Sequence, residues 1–170
     1  MKKFNIITHI TTACNFDCSY CDVVKDGRKL STSTLEKIID FVEKNHDNIG
    51  RFKFFGGEPL LAFKNMKKLI EATEWNIWKN YEIVTNTSLL KPEVWEYLEK
   101  YFSHIFFSID SENDFSYDKV IRIIGEYNLE GKLYFNLVIS PGKEQFAREQ
   151  FEKLYKSGMR WFNILPVYFT

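Results

Sequence analysis

The chain has 170 residues, 45% hydrophobic and 17% aromatic with 16 Phe, which suits one domain with a real core and excludes a disordered chain. Lys plus Arg and Asp plus Glu are equal at 23 each, so no bulk charge draws the chain to nucleic acid or to an anionic membrane. No apolar run approaches the ~20 residues of a membrane span and no signal-type leader follows Met1-Lys2-Lys3, so the expected location is the cytoplasm.

Phe4 to Thr11 alternates and is β-branched, which predicts a first strand leading through Thr11-Thr12-Ala13 into a loop over residues 12–24. Ser33 and Glu36 read as a capping box that opens a helix with Leu35, Ile38, Ile39 and Val42 on one face. Arg51 to Phe55 is a second strand that runs into Gly56-Gly57-Glu58-Pro59. Phe63, Met66, Ile70, Thr73 and Ile77 mark the next helix, and Tyr81 to Thr85 a strand ending at Asn86. Pro92 suits the first position of a third helix carrying Val94, Trp95, Leu98 and Phe102, followed by a strand from His104 to Ile109. Ser116 or a neighbour caps a helix through Val120, Ile121 and Ile124, and Lys132 to Ile139 is a fifth strand. Glu144 to Lys156 is a fifth helix closed by Gly158, and Arg160 to Leu165 a sixth strand.

Six strands alternating with five helices predict an α/β protein with a parallel sheet. A doubly wound sheet would bind ligands at a switch point, whereas a barrel-type sheet would gather its strand C-termini around one mouth. The cysteine loop, Gly56 to Pro59, Asn86 and Ser108 to Asp110 all end or follow different strands at the same edge, which favours the barrel.

Cys14, Cys18 and Cys21 are all the cysteines of the chain and form a C-x3-C-x2-C run. Their odd number and short spacing exclude a disulfide framework. A structural zinc site wants four protein ligands, and with no fourth Cys only His9, five residues upstream, keeps a Cys3His site open. An iron–sulfur cube also takes four ligands, so three Cys would leave one iron free for an exogenous molecule. Gly56-Gly57 and Pro59 read as a tight strand-to-loop turn, but a turn does not account for a charged Glu58 at the end of a Phe-rich strand. Asn86 suits a turn, Ser108 shares a strand face with Phe106 and Asp110, and Asn136 is a polar residue in mid-strand. His9, His46 and His104 have no neighbour suggesting a general base. Trp75, Trp78, Trp95 and Trp161 read as packing, and Lys64, Lys67 and Lys68 as a solvated face.

The cysteine run, with Tyr20 just before its last Cys and Gly56-Gly57-Glu58-Pro59 following Cys21 by 35 residues, resembles the radical S-adenosylmethionine (radical SAM) superfamily. The segment Phe54 to Leu61 is most similar to the SPASM-type branch, which modifies peptides and proteins. The resemblance implies a partial (β/α)6 barrel open on one side, with residues 1–170 as a catalytic core and no second domain. It implies that Cys14, Cys18 and Cys21 hold a [4Fe-4S] cluster whose open iron is chelated by the methionine part of SAM. Gly56, Gly57 and Glu58 would take the SAM amino group, Asn86 and Ser108 the ribose and carboxylate, and Tyr20 the adenine, with Asn136 and Leu165-Pro166 as further adenine neighbours. Reductive cleavage would then yield a 5′-deoxyadenosyl radical that abstracts hydrogen from a peptide or protein substrate, the electron coming from a flavodoxin or ferredoxin. A glycyl-radical-enzyme activase and a non-catalytic zinc module are the alternatives. SPASM-type enzymes continue past the sixth strand into a Cys-rich region, so the expectation is a core cut from a longer protein, or a compact member covered by a partner.

Overall fold

A computed structural model describes residues 3–73, 80–112, 117–126 and 131–167. Its strands are β1 (Phe4–Thr11), β2 (Ile49–Gly56), β3 (Tyr81–Thr85), β4 (Phe102–Ile109), β5 (Leu133–Ile139) and β6 (Phe162–Pro166). Between them lie α1 (Thr32–Asn45), α2 (Phe63–Ala72), α3 (Pro92–Tyr101), α4 (Tyr117–Glu126) and α5 (Glu144–Lys156), with short 3-10 turns at His46–Asn48 and Pro59–Ala62. The strands form one parallel sheet in the order β1-β2-β3-β4-β5-β6. That order contains no switch point. Right-handed crossovers that always step the same way put every helix on the same face, and this singly wound arrangement is the open barrel rather than the doubly wound sheet.

The helix-covered face is the core. Phe52, Phe54, Tyr81, Ile83, Ile105, Phe107, Phe135 and Leu137 are buried there against Leu35, Met66, Leu69, Ile70, Trp95, Leu98 and Leu154 from the helices. The many aromatics interlock: the Phe52 and Phe54 ring centroids lie 5.1 Å apart, and Trp95 meets Phe107 edge-on at 5.6 Å. The other face lines the lumen. There Glu82, almost fully buried, is ion-paired with Lys53 (3.0 Å) and Arg51 (3.2 Å) and lies 3.5 Å from the His104 ring, whose charged form burial disfavours, near the N-terminal ends of the strands.

Strand limits fall within two residues of the pattern in the sequence, but three local readings are corrected. The N-cap of α1 is Ser31, whose Oγ accepts from the Thr34 N–H. Leu30 is already bonded to Ile10 of β1, so the helix opens before Ser33, and Glu36 instead faces Lys68 of α2. Phe102 does not belong to α3; its N–H caps Leu98 and its backbone is already extended as the first residue of β4. Trp161 is 55% exposed, because β6 is an edge strand with a neighbour on one side only. Gly158 does close α5: it has φ +96°, and the Met159 and Gly158 N–H groups return to Leu154 and Tyr155. Trp75, Ile77, Trp78 and Ser116 lie outside the described residues. No helix among those described is long and apolar enough to cross a membrane.

Candidate active site

β1 shifts register against β2 between His9 and Thr11, and the chain leaves the sheet there to form the cysteine loop. The loop closes on itself through Thr12 N–H to Arg28 O (2.8 Å), a Thr12–Asp26 side-chain bond and the Lys25–Asp17 ion pair (2.7 Å). The end of β2 runs under it. A Cβ on Gly56 would sit 2.1 Å from the Thr11 carbonyl oxygen, and one on Gly57 would sit 2.2 Å from that of Ala13. Only glycine lets the two backbones approach this closely, and Gly56 also needs it for its φ of +129°. The contact is sealed by Gly57 N–H to Thr11 O (2.9 Å) and Glu58 N–H to Ala13 O (2.8 Å).

Glu58 is 1% exposed. Its Oε1 accepts from Leu60 N–H (3.0 Å) and Thr85 Oγ1 (2.8 Å), and its Oε2 from Asn86 N–H (2.8 Å). The carboxylate therefore caps the 3-10 turn after it and ties β2 to β3. A carboxylate accepts at about four positions, and these bonds use three of them. Burial pushes the Glu58 carboxyl up, against the three hydrogen bonds that favour its charged form.

Beyond β3, Asn86 donates from Nδ2 to Asn15 Oδ1 (3.0 Å) and lies 3.9 Å from the Cys14 sulfur, while its Oδ1 accepts from Ser88 Oγ (2.6 Å) and Ser88 N–H (3.1 Å). Asn15 donates in turn to Ser88 Oγ (2.8 Å), which closes the ring. Thr87, between them, has φ +70° and is buried, a strained conformation for a β-branched residue.

Beyond β4, the Tyr20 hydroxyl donates to Asp110 Oδ2 (2.6 Å), and Asp110 Oδ1 accepts from Glu112 N–H (2.7 Å). Glu112 takes both the N–H and the Oγ of Ser19, each at 2.7 Å. Burial, then the bond to Asp110, pushes the Tyr20 hydroxyl far up, so it stays a donor. Burial also raises the Cys18 thiol, partly offset by its hydrogen bond with Tyr20.

All three cysteines, none of them in a disulfide and all partly buried, line one cavity of about 220 Å³ at the C-terminal ends of the strands. Tyr20, Gly56, Gly57, Glu58, Asn86 and Ser108 line the same cavity, as do Asn136 and Leu165. Asp110 stands behind Tyr20 instead. His9 packs its ring on Phe55 at 5.3 Å and is not in the cavity wall, so nothing completes a Cys3His zinc site. Among the described residues no three His, Cys, Asp or Glu groups converge on a single metal ion. Three thiols spread around one cavity, with no fourth protein ligand, fit a cluster that leaves one iron for an exogenous ligand. Asn15, Ser19, Ser88 and Glu112 carried no signal of their own, because their partners lie 71 to 93 positions away or across a turn.

The model of the Radical SAM superfamily matches residues 8–165. The chain belongs to that superfamily. Its members use a [4Fe-4S] cluster and S-adenosylmethionine. This radical SAM chain is 29% identical over 124 residues to the radical SAM cyclopropyl synthase TigE of Paramaledivibacter caminithermalis, a match covering 61% of the chain and 26% of TigE. In fold it is similar to anSMEcpe with bound AdoMet (TM-score 0.75, 18% identity, 99% of this chain and 52% of that one). It is likewise similar to Streptococcus suis SuiB bound to its precursor peptide SuiA (TM-score 0.76, 18% identity, 98% of this chain and 40% of SuiB). The chain thus spans well under two thirds of each of these proteins.

Proposed function

We propose that this chain is the catalytic core of a radical SAM enzyme that abstracts hydrogen from a peptide or protein substrate. The supporting observation is that three thiols, two glycines, Glu58, Asn86, Ser108 and Tyr20, drawn from the ends of four strands, line a single cavity. In this reading Cys14, Cys18 and Cys21 hold the cluster. The carbonyls of Gly56 and Gly57 and the remaining acceptor position of Glu58 receive the SAM amino group. Ser108 and Asn86 flank the ribose and carboxylate, Asn86 while also orienting Asn15 and Cys14, and the Tyr20 ring lies along the adenine. When bound, the cluster and SAM supply a 5′-deoxyadenosyl radical by one-electron reduction, the electron arriving from a flavodoxin- or ferredoxin-type donor. Phe55, Val84, Val138 and Leu165 give the cavity apolar walls that exclude water from a reactive centre.

No Lys, Arg or His is among the described residues of the cavity wall. A phosphate-bearing substrate would call for such groups, whereas an uncharged segment of peptide does not. The precursor peptide in the SuiB structure and the peptide in a further anSMEcpe structure favour peptide modification over an activase.

Anaerobic reconstitution with iron and sulfide, reduction, addition of SAM and assay for 5′-deoxyadenosine test the proposal. Product that disappears in Cys18→Ala is the expected result. A chain that takes up a full cluster and never cleaves SAM would overturn it.

A further inference from the structure

The cysteine loop is held by two separate sets of side-chain bonds, and they divide it. Asn15, next to Cys14, is tied to Asn86 and Ser88 beyond β3. Ser19 and Tyr20, between Cys18 and Cys21, are tied to Glu112 and Asp110 beyond β4. Asp110 is fully buried, and its two oxygens join the pair: one holds the Tyr20 hydroxyl, the other the Glu112 N–H, so that Glu112 presents its carboxylate to Ser19. All four bonds are 2.6 to 2.7 Å long and end on carboxylate oxygens, the short, charge-assisted kind.

We propose that Asp110 and Glu112 are positioning residues that latch the Cys18–Cys21 half of the loop to β4, independently of the Cys14 half, and set these thiols before a cluster is assembled. The same strand carries Ser108 in the cavity wall two residues earlier, so the latch refers the thiols to the surface on which SAM would lie. Ordering the loop during folding removes that entropic cost from cluster assembly. A ligand loop left mobile would meet it there.

The inference rests on the cluster reading for its purpose, but its first test needs no cluster. The reduced apo chain is alkylated with iodoacetamide for graded times and digested with a protease that cuts before Asp. Asp17 and Asp22 are placed so that residues 1–16 carry Cys14 and residues 17–21 carry Cys18 and Cys21. In Glu112→Ala and Tyr20→Phe, alkylation of the 17–21 peptide is expected to rise about fivefold, the equivalent of one net hydrogen bond, with the 1–16 peptide unchanged. Asn15→Ala should do the reverse. The Glu112 charge raises the Cys18 thiol and the Tyr20 hydrogen bond lowers it, so the rates are compared on the alkaline plateau, where the thiols are ionised and the loop's conformation sets the difference; Tyr20→Phe removes one oxygen and keeps the fold if Asp110→Ala does not. An equal rise at all three cysteines, or none, overturns the latch.

A second readout uses the reconstituted protein. Glu112→Ala should lose iron to a chelator faster than the parent chain and broaden the electron paramagnetic resonance of the reduced cluster. A divided alkylation pattern in a chain that takes up no cluster would keep the latch and refute the cluster.

Discussion

The floor and the mouth of the lumen are built from the same strands, on the same face, and behave differently. Glu82 and Val84 lead up β3 to Asn86 just beyond it, and His104, Phe106 and Ser108 follow one another up β4, with an apolar layer between the two ends. At the floor Glu82 is surrounded by Lys53, Arg51 and His104; Lys53 also lies over the Phe106 ring at 4.3 Å, and His104 packs on Tyr134 at 4.9 Å. Its charges are answered inside the chain. At the mouth Glu58, Asn86 and Tyr20 are hydrogen-bonded too, yet they line a cavity together with three thiols. Concentrated charge therefore does not mark the site. Three thiols gathered on one cavity do.

That contrast can be broken in several ways. The largest effect is expected from Cys21→Ser, which should abolish detectable 5′-deoxyadenosine while leaving thermal unfolding of the apo chain unchanged; a loss of fold would mean that the mouth is structural as the floor is. Glu82→Ala should do the opposite, costing about 3 kcal/mol in urea unfolding by stripping Lys53 and Arg51 of a buried partner, with SAM cleavage per folded chain preserved. A fall in cleavage equal to that of the cysteine variant would make the floor part of the site.

Glu58 belongs to both worlds, and Glu58→Gln sharpens the boundary. The amide turns a donor toward either the Asn86 or the Leu60 N–H, at a cost of about 2 kcal/mol. Burial raises the Glu58 carboxyl, so its contribution is fully present below the ordinary value of about 4.3 and is lost as pH rises through the raised one. The difference in urea midpoint between parent and variant should therefore be greatest in acid and shrink toward neutrality. A constant difference would place the effect on the hydrogen bonds alone. The smallest change is expected from Thr87→Gly, which relieves the positive φ and should stabilise the chain by about 1 kcal/mol; a lower unfolding midpoint than the parent's would show that the Thr87 side chain contributes more than the strain costs.

Much of the fold was legible because its signals are local. Alternation marked β1, the i, i+3, i+4 spacing marked α1, and Gly158 marked the end of α5. The misreadings were local too. Ser33 lost the cap to Ser31 because the preceding residue was already bonded to β1, and Phe102 was drawn into β4 by its pairing with Tyr81.

The sequence by itself determined the cysteine spacing, the glycine pair and the succession of βα units, since each depends on neighbours in the chain. Parallel crossovers then necessarily brought the strand C-termini to one edge. The tertiary structure alone decided what those ends do to one another. Ser19 meets Glu112 across 93 positions and Tyr20 meets Asp110 across 90, and strand register brings Thr85 and Asn86 onto the Glu58 carboxylate. Such pairs depend on how far one strand is slid along another. That offset is set by the packing of the whole sheet and leaves no mark on any short stretch of sequence.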